Sequence, residues 1–202
     1  VPREVLAAMA EPVVHHRGPE FRDVYERTLV RLQEVFRTRG QVLLFSASGT
    51  GAMDSAVANL VAAGDRVAVV SAGAFGERWA AICRQYGLDV HQIAYEWGEV
   101  PVPDEVGAAV RASGARAVFC THSETSTGVV ADVQAIKAAV GDTTVVVDAI
   151  SSLGAVPLEM DEWGIDVVIT GSGGLVEIQA TAEVAVFSQD ELGSMLSLGR
   201  SA

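Results

Sequence analysis

Apolar residues recur along the chain with two alternating periods. Phe21, Val24, Tyr25, Thr28, Leu29, Leu32, Val35 and Phe36 fall at helical spacing, with Gly40 the expected stop. Residues 41–45 then read as a short strand, a glycine turn follows, and residues 52–60 read as a helix. The pattern predicts further strands at 66–70, 90–95, 116–121, 144–148 and 166–170. It predicts helices at 75–86, 103–112 and 133–140 between them. Alternation of this kind predicts an α/β fold of three layers, a mainly parallel sheet with helices on both faces. Sheets of that type carry their sites at the carboxyl ends of the strands. The rhythm breaks at Gly171-Ser-Gly-Gly174, which reads as a joint. One strand (183–188) and one helix (190–198, with Gln189-Asp-Glu191 as an acidic start) are predicted after it.

Composition narrows the classes. The chain has 202 residues, half of them hydrophobic, which suits one domain with a substantial core and excludes a wholly disordered chain. Two cysteines, Cys83 and Cys120, cannot form a disulfide framework and read as buried small residues. With 14 Lys plus Arg against 26 Asp plus Glu, the formal net charge is −12. That balance argues against a nucleic-acid binder, which needs a basic stripe, and reads most simply as a solvated surface. No apolar run is long enough to suggest a membrane span, and no leader is apparent. A soluble cytoplasmic protein, intact or trimmed, is the expectation.

Three strand ends carry candidate chemistry. Ser46-Ala-Ser-Gly-Thr-Gly-Ala-Met-Asp54 lies between a predicted strand and helix. Small residues and a helix start suit an anion there, with Ser48 and Thr50 as hydroxyl donors. It lacks the Gly-Lys-Ser/Thr of a Walker loop, and Asp54 stands where a dinucleotide fingerprint needs its third glycine. A plain tight turn fits equally well. Asp148 ends the apolar strand Val145-Val-Val147, where a carboxylate needs a cationic or hydrogen-bonding partner. A protonated pyridine nitrogen is one such partner; a cap on the next turn is the plainer alternative. The hydroxyl-rich run Thr121-His-Ser-Glu-Thr-Ser-Thr-Gly128 suits either the polar edge of a bound ring or an ordinary surface. Phe75 suits stacking on a flat ring or a place in the core.

Six segments resemble, in order and spacing, the class V aminotransferases, in particular the alanine–glyoxylate and serine–glyoxylate group. They are His16-Arg-Gly-Pro-Glu-Phe21, Ser48-Gly-Thr-Gly-Ala-Met53, Gly73-Ala-Phe-Gly-Glu-Arg78, His122-Ser-Glu-Thr-Ser-Thr-Gly-Val129, Val147-Asp-Ala-Ile-Ser-Ser-Leu-Gly154 and Gly164-Ile-Asp166. The resemblance implies a pyridoxal 5'-phosphate (PLP) enzyme of fold type I. Residues 1–172 would form its PLP-binding large domain. It would move an amino group between a small amino acid, such as alanine or serine, and a 2-oxo acid, such as glyoxylate or pyruvate. The resemblance implies that Ser48, Gly49 and Thr50 bind the phosphate and that Phe75 stacks on the ring. It implies that Thr125 sits beside the ring's polar edge, Asp148 pairs with the pyridine nitrogen and Ile150 packs on the opposite ring face. It also implies a homodimer with shared active sites.

One departure bears on catalysis. The family follows Gly-Ser with Gln-Lys, and that lysine forms the Schiff base with PLP; here Gly171-Ser172 is followed by Gly173-Gly174. The chain's one lysine, Lys137, lies in the helical stretch 133–140 and is expected on a solvated face. With Gly174 at or near the lysine's place, PLP would be held by non-covalent contacts alone and proton transfer would lose its base. Two readings stay open: an aminotransferase whose sequence is incompletely recorded, and a lysine-free, inactive remnant or interacting subunit. Residues 173–202, the C-terminal strand–helix segment, also align in two ways. In one alignment Gly173 and Gly174 directly replace Gln-Lys, with the strand at 182–188 next. Alternatively they mark a large gap, with 175–181 and 188–198 drawn from the family's end; the apolar Leu192, Met195, Leu196 and Leu198 favour this slightly. No match for the family's substrate-carboxylate arginine is visible, and Glu177 stands near its place.

The remaining candidates read as structural. Adjacent His15 and His16 cannot share one metal ion, so no metal is expected. His122 is expected to make a structural hydrogen bond, and Arg78 to support its turn through backbone hydrogen bonds.

Overall fold

A computed structural model describes residues 3–171 and 177–178 of the chain. The elements are α1 (Arg3–Met9), α2 (Pro19–Phe36), β1 (Leu44–Phe45), α3 (Gly49–Leu60), β2 (Arg66–Ser71), α4 (Ala74–Gln85), β3 (Asp89–Ala94) and α5 (Pro103–Ser113). They continue with β4 (Ala117–Thr121), β5 (Ser123–Glu124), β6 (Val129–Val130), α6 (Val133–Val140), β7 (Thr144–Asp148), α7 (Met160–Trp163), β8 (Val167–Ile169) and β9 (Glu177–Ile178).

Five strands form one parallel sheet in the order β3-β2-β4-β7-β8. Side chains alternate across it. Val67, Val69, Ala117, Phe119, Val146 and Ile169 pack under α3 and α4, against Met53, Val57, Trp79 and Cys83. Ala68, Val70, Val118, Cys120, Val145, Val147 and Val168 pack on the other face, with Val106 and Val110 of α5, Ile136 and Val140 of α6, and Phe36 of α2. Burial on both faces explains the nearly unbroken apolar runs in β4 and β7. Each fully buried valine contributes roughly 1.5–3 kcal/mol of hydrophobic stabilisation, offset by ordering entropy. The predicted three-layer parallel architecture is the observed one.

Several boundaries differ from expectation. Gly40 does not stop α2. The helix ends at Phe36, and Arg37 takes the left-handed conformation (φ 54°), with Thr38 N–H donating to the Gln33 carbonyl at 3.0 Å. Gly40 instead offers its carbonyl to the Gln33 side chain at 2.8 Å. The strand expected at 41–45 is only β1, which pairs antiparallel with β9, Phe45 opposite Glu177. The glycine turn is already helix, because α3 begins at Gly49. Short α1 and α7 and the β5–β6 hairpin carried too few periodic positions to be read. The expected joint at 171–174, apart from Gly171, and the strand at 183–188 and helix at 190–198 lie outside the described residues.

Candidate functional site

The carboxyl ends of β4 and β7 open toward the starts of α3 and α4. Ser48, in extended conformation, caps α3, its Oγ accepting from Gly51 N–H at 3.3 Å. The N–H groups of Gly49 and Thr50 lie in the first helical turn, beyond reach of the helix's own carbonyls. Thr50 Oγ1 accepts from Arg78 Nη1 at 3.1 Å, and the Arg78 guanidinium carbon sits 5.0 Å from the centre of the Phe75 ring. One cation thus ties the two helix starts together. Arg78 was expected to serve backbone; it serves the Thr50 hydroxyl and the Phe75 face instead.

The start of α4 is closed from outside. Gly73 supplies no side-chain cap. Glu124 of β5 reaches across: its Oε2 accepts from Phe75 N–H and Gly76 N–H, each at 3.0 Å. Ser126 donates its hydroxyl and its N–H to Glu124 Oε1, and its Oγ accepts from Ala74 N–H at 3.0 Å. The first three N–H groups of α4 are therefore spent, whereas those of Gly49 and Thr50 at α3 face outward from the helix start. A Cβ on Gly73 would stand 2.6 Å from Glu124 Cγ and from Ser126 Oγ, so only glycine lets the hairpin come this close. Glu124, a carboxylate set among hydroxyls, was not legible as a capping residue from its neighbours in the chain.

Asp148 ends β7, in register with Thr121 of β4, and is 3% exposed. Its carboxyl is pushed up from 3.8 to about 6. Burial is the largest cause; the nearby Glu124 carboxylate adds to it, and Ile150 N–H and Arg78 oppose it. Ile150 donates that N–H to Asp148 Oδ1 at 2.9 Å and packs, half-buried, against the α3–α4 side of the core. Thr121 Oγ1 and Trp79 Nε1 are buried without a hydrogen-bond partner among the described residues. Thr125 is exposed in the hairpin turn beside Glu124.

The structure thus draws Thr50, Phe75 and Arg78 into direct contact, and the fields of Arg78 and Glu124 reach Asp148. His122 stands apart. Its backbone N–H donates to the Asp148 carbonyl at 2.8 Å, but the hydrogen bond expected of its side chain is not seen: Nδ1 is buried without a partner among the described residues, and burial lowers the imidazole's pKa against the field of Asp132. Lys137 lies at the other end of the sheet, bonded to Asp166 Oδ2 at 2.9 Å and to the Thr143 carbonyl at 3.0 Å, just before β8 and β7. It was expected on a solvated face, yet its side chain is only 14% exposed because that pair holds it down. His15 and His16 stack on each other, and among the described residues no three metal-ligating side chains gather. Cys83 and Cys120 are buried thiols pushed up to about 12 by burial. An open cleft of about 640 Å³ between Glu34, Arg37 and residues 153–159 shares none of the site residues.

The five-stranded parallel sheet with helices on both faces is the α/β fold of the PLP-dependent aminotransferases. The crystal structure of alanine–glyoxylate aminotransferase from Nostoc sp. superposes with a TM-score of 0.81 at 28% identity, covering 97% of this chain and 52% of that one. The chain belongs to the class V aminotransferase family, whose model, Aminotransferase class-V, matches residues 3–174. It is 42% identical over 178 residues to a protein of Synechococcus sp. (strain PCC 6716) named "Soluble hydrogenase, small subunit". It is 37% identical over 180 residues to the L-aspartate–glyoxylate aminotransferase of Paracoccus denitrificans. Each match covers 85% of this chain and 46% of the relative, so the chain spans about half the length of these relatives. The family is PLP-dependent. Among the described residues, no helix is long and apolar enough to cross a membrane.

Proposed function

We propose that this chain is the cofactor-binding part of a class V aminotransferase. Its reaction moves an amino group between a small amino acid, such as alanine or serine, and a 2-oxo acid, such as glyoxylate or pyruvate. One observation carries the reading: Asp148, buried at a strand exit with its pKa raised, shares a neighbourhood with Arg78 and the open start of α3. When bound, PLP supplies an electron-withdrawing ring that stabilises negative charge at the carbon bearing the transferred amino group. Asp148 would hold a proton on the pyridine nitrogen, and that cation repays the cost of burying the carboxylate. Ser48, Gly49 and Thr50 would bind the phosphate through hydroxyls and first-turn N–H groups. Phe75 and Ile150 would enclose the two ring faces, and Thr125 would meet the polar edge. The unpartnered Thr121 hydroxyl, beside Asp148, fits a site that gains polar partners on loading. A homodimer in the cytoplasm is part of the reading.

The covalent amine is the open element. Lys137 is committed to Asp166 at the amino ends of the strands, and Gly173-Gly174 offers no substitute. That favours a second reading, reversible PLP binding without transamination, in a remnant or interacting subunit. Adding PLP, recording the visible spectrum, reducing with borohydride and weighing the protein separates the two. A reduced adduct on an active-site lysine of the whole protein supports the enzyme. Reversible colour with no adduct supports the remnant. No PLP binding of either kind refutes both.

A further inference from the structure

The three amides that open α4 are all satisfied by Glu124 and Ser126, from a hairpin about fifty residues further along the chain. A helix start left unpaired costs stability and attracts anions. Here a carboxylate fills it, charge-assisted and aligned with the helix dipole. Phe75 is the second residue of α4, so the bond to its N–H fixes the backbone from which its ring projects. Thr125 lies between the two latch residues in sequence. Glu124 therefore joins two elements that flank the same space. It also faces Asp148 with a like charge, opposed by Arg78 of α4; the Cys120 thiol of β4 feels Asp148 in turn.

We propose that Glu124 is the positioning residue of this site: its carboxylate latches the β5–β6 hairpin to the start of α4, fixes the Phe75 platform, and adds a like charge to the surroundings of Asp148. The ligand side of this inference rests on the PLP reading above; the latch and the charge do not.

Glu124→Gln keeps an oxygen for the Phe75 and Gly76 amides and removes the charge. Glu124→Ala removes both. In the ligand-free chain, the Asp148 carboxyl carbon is titrated by NMR, assigned with Asp148→Asn. The midpoint, near 6 in the parent, is expected to move to lower pH in Glu124→Gln. Exchange of the Ala74, Phe75 and Gly76 amides is expected to speed roughly tenfold in Glu124→Ala and to be restored largely in Glu124→Gln. PLP affinity, read by visible absorbance at pH 8, is expected to fall roughly tenfold in Glu124→Ala, with partial rescue by glutamine. An unmoved Asp148 midpoint in Glu124→Gln overturns the charge role, and unchanged amide exchange in Glu124→Ala overturns the latch. Should Glu124→Ala not fold, the glutamine titration still decides. A parent chain that shows both effects but binds no PLP sinks the cofactor reading alone.

Discussion

Replacing Asp148 by asparagine exposes what the site costs the fold. The carboxyl's pKa is raised from 3.8 to about 6 in the folded chain. Between those values the native state binds more protons than the unfolded state, so stability falls as pH rises through the window and is flat above it. Below pH 3.8 both states are protonated and the penalty vanishes. At 1.36 kcal/mol per pKa unit, the full penalty above the window is about 3 kcal/mol. Asp148→Asn removes the titrating group. Its side-chain oxygen still accepts from Ile150 N–H, and its amide nitrogen adds an offset of about 1 kcal/mol that does not vary with pH. Urea denaturation of both proteins without cofactor, at pH 4 and pH 8, reads the difference. The variant is expected to gain about 2 kcal/mol on the parent between the two pH values, because at pH 4 the unfolded carboxyl is already more than half ionised. PLP at about 100 times its dissociation constant is expected to stabilise the parent by about 2.7 kcal/mol and the variant far less. A pH-independent difference, or one of opposite sign, refutes the account of Asp148 as a buried acid awaiting a cation.

Three further outcomes are expected. Lys137→Met breaks a pair whose lysine is largely buried but whose aspartate is 41% exposed; it should lower stability by about 1 kcal/mol in denaturant melts and leave PLP affinity alone. Thr50→Val removes the hydroxyl that meets Arg78; it should weaken PLP binding several-fold while leaving pyridoxal, which has no phosphate, unchanged in the same titration. Cys83 and Cys120, pushed up to about 12 by burial, should resist thiol reagents at pH 8 in the folded chain and react only in denaturant, as mass spectrometry would count.

Residues whose roles depend on their immediate neighbours were readable in advance. Asp148 stood out because a carboxylate ending three valines needs a partner, and it is buried as that logic requires. Ser48 stood out as a hydroxyl donor among small residues ahead of a helical run; the structure makes it the cap of α3. Residues whose roles depend on remote partners were not readable. Glu124 looked like surface because nothing local says that Gly73 of another element leaves room for it. Arg78 meets Thr50 only because α3 and α4 lie side by side on one sheet face. Arg37 shows a different failure: glycine is the usual left-handed stop, but Gly40 lies too far along, so a less suited residue takes the conformation.

The two ends of the sheet use charge differently. At the amino ends, acids and bases answer each other: Arg66 pairs with Asp89, Arg116 with Asp65 and Lys137 with Asp166. The first two are exposed and worth little each. At the carboxyl ends, Arg78 donates to a neutral hydroxyl, and Asp148 accepts from a backbone amide while its own charge is disfavoured. A chain optimised only for stability would replace Asp148, since at neutral pH the carboxylate works against folding. A parallel sheet, with every strand pointing one way, lets these demands sit at opposite ends. Stability and binding should then respond to different substitutions: Lys137→Met lowers the first and spares the second, while Asp148→Asn raises the first above pH 6 and removes the second.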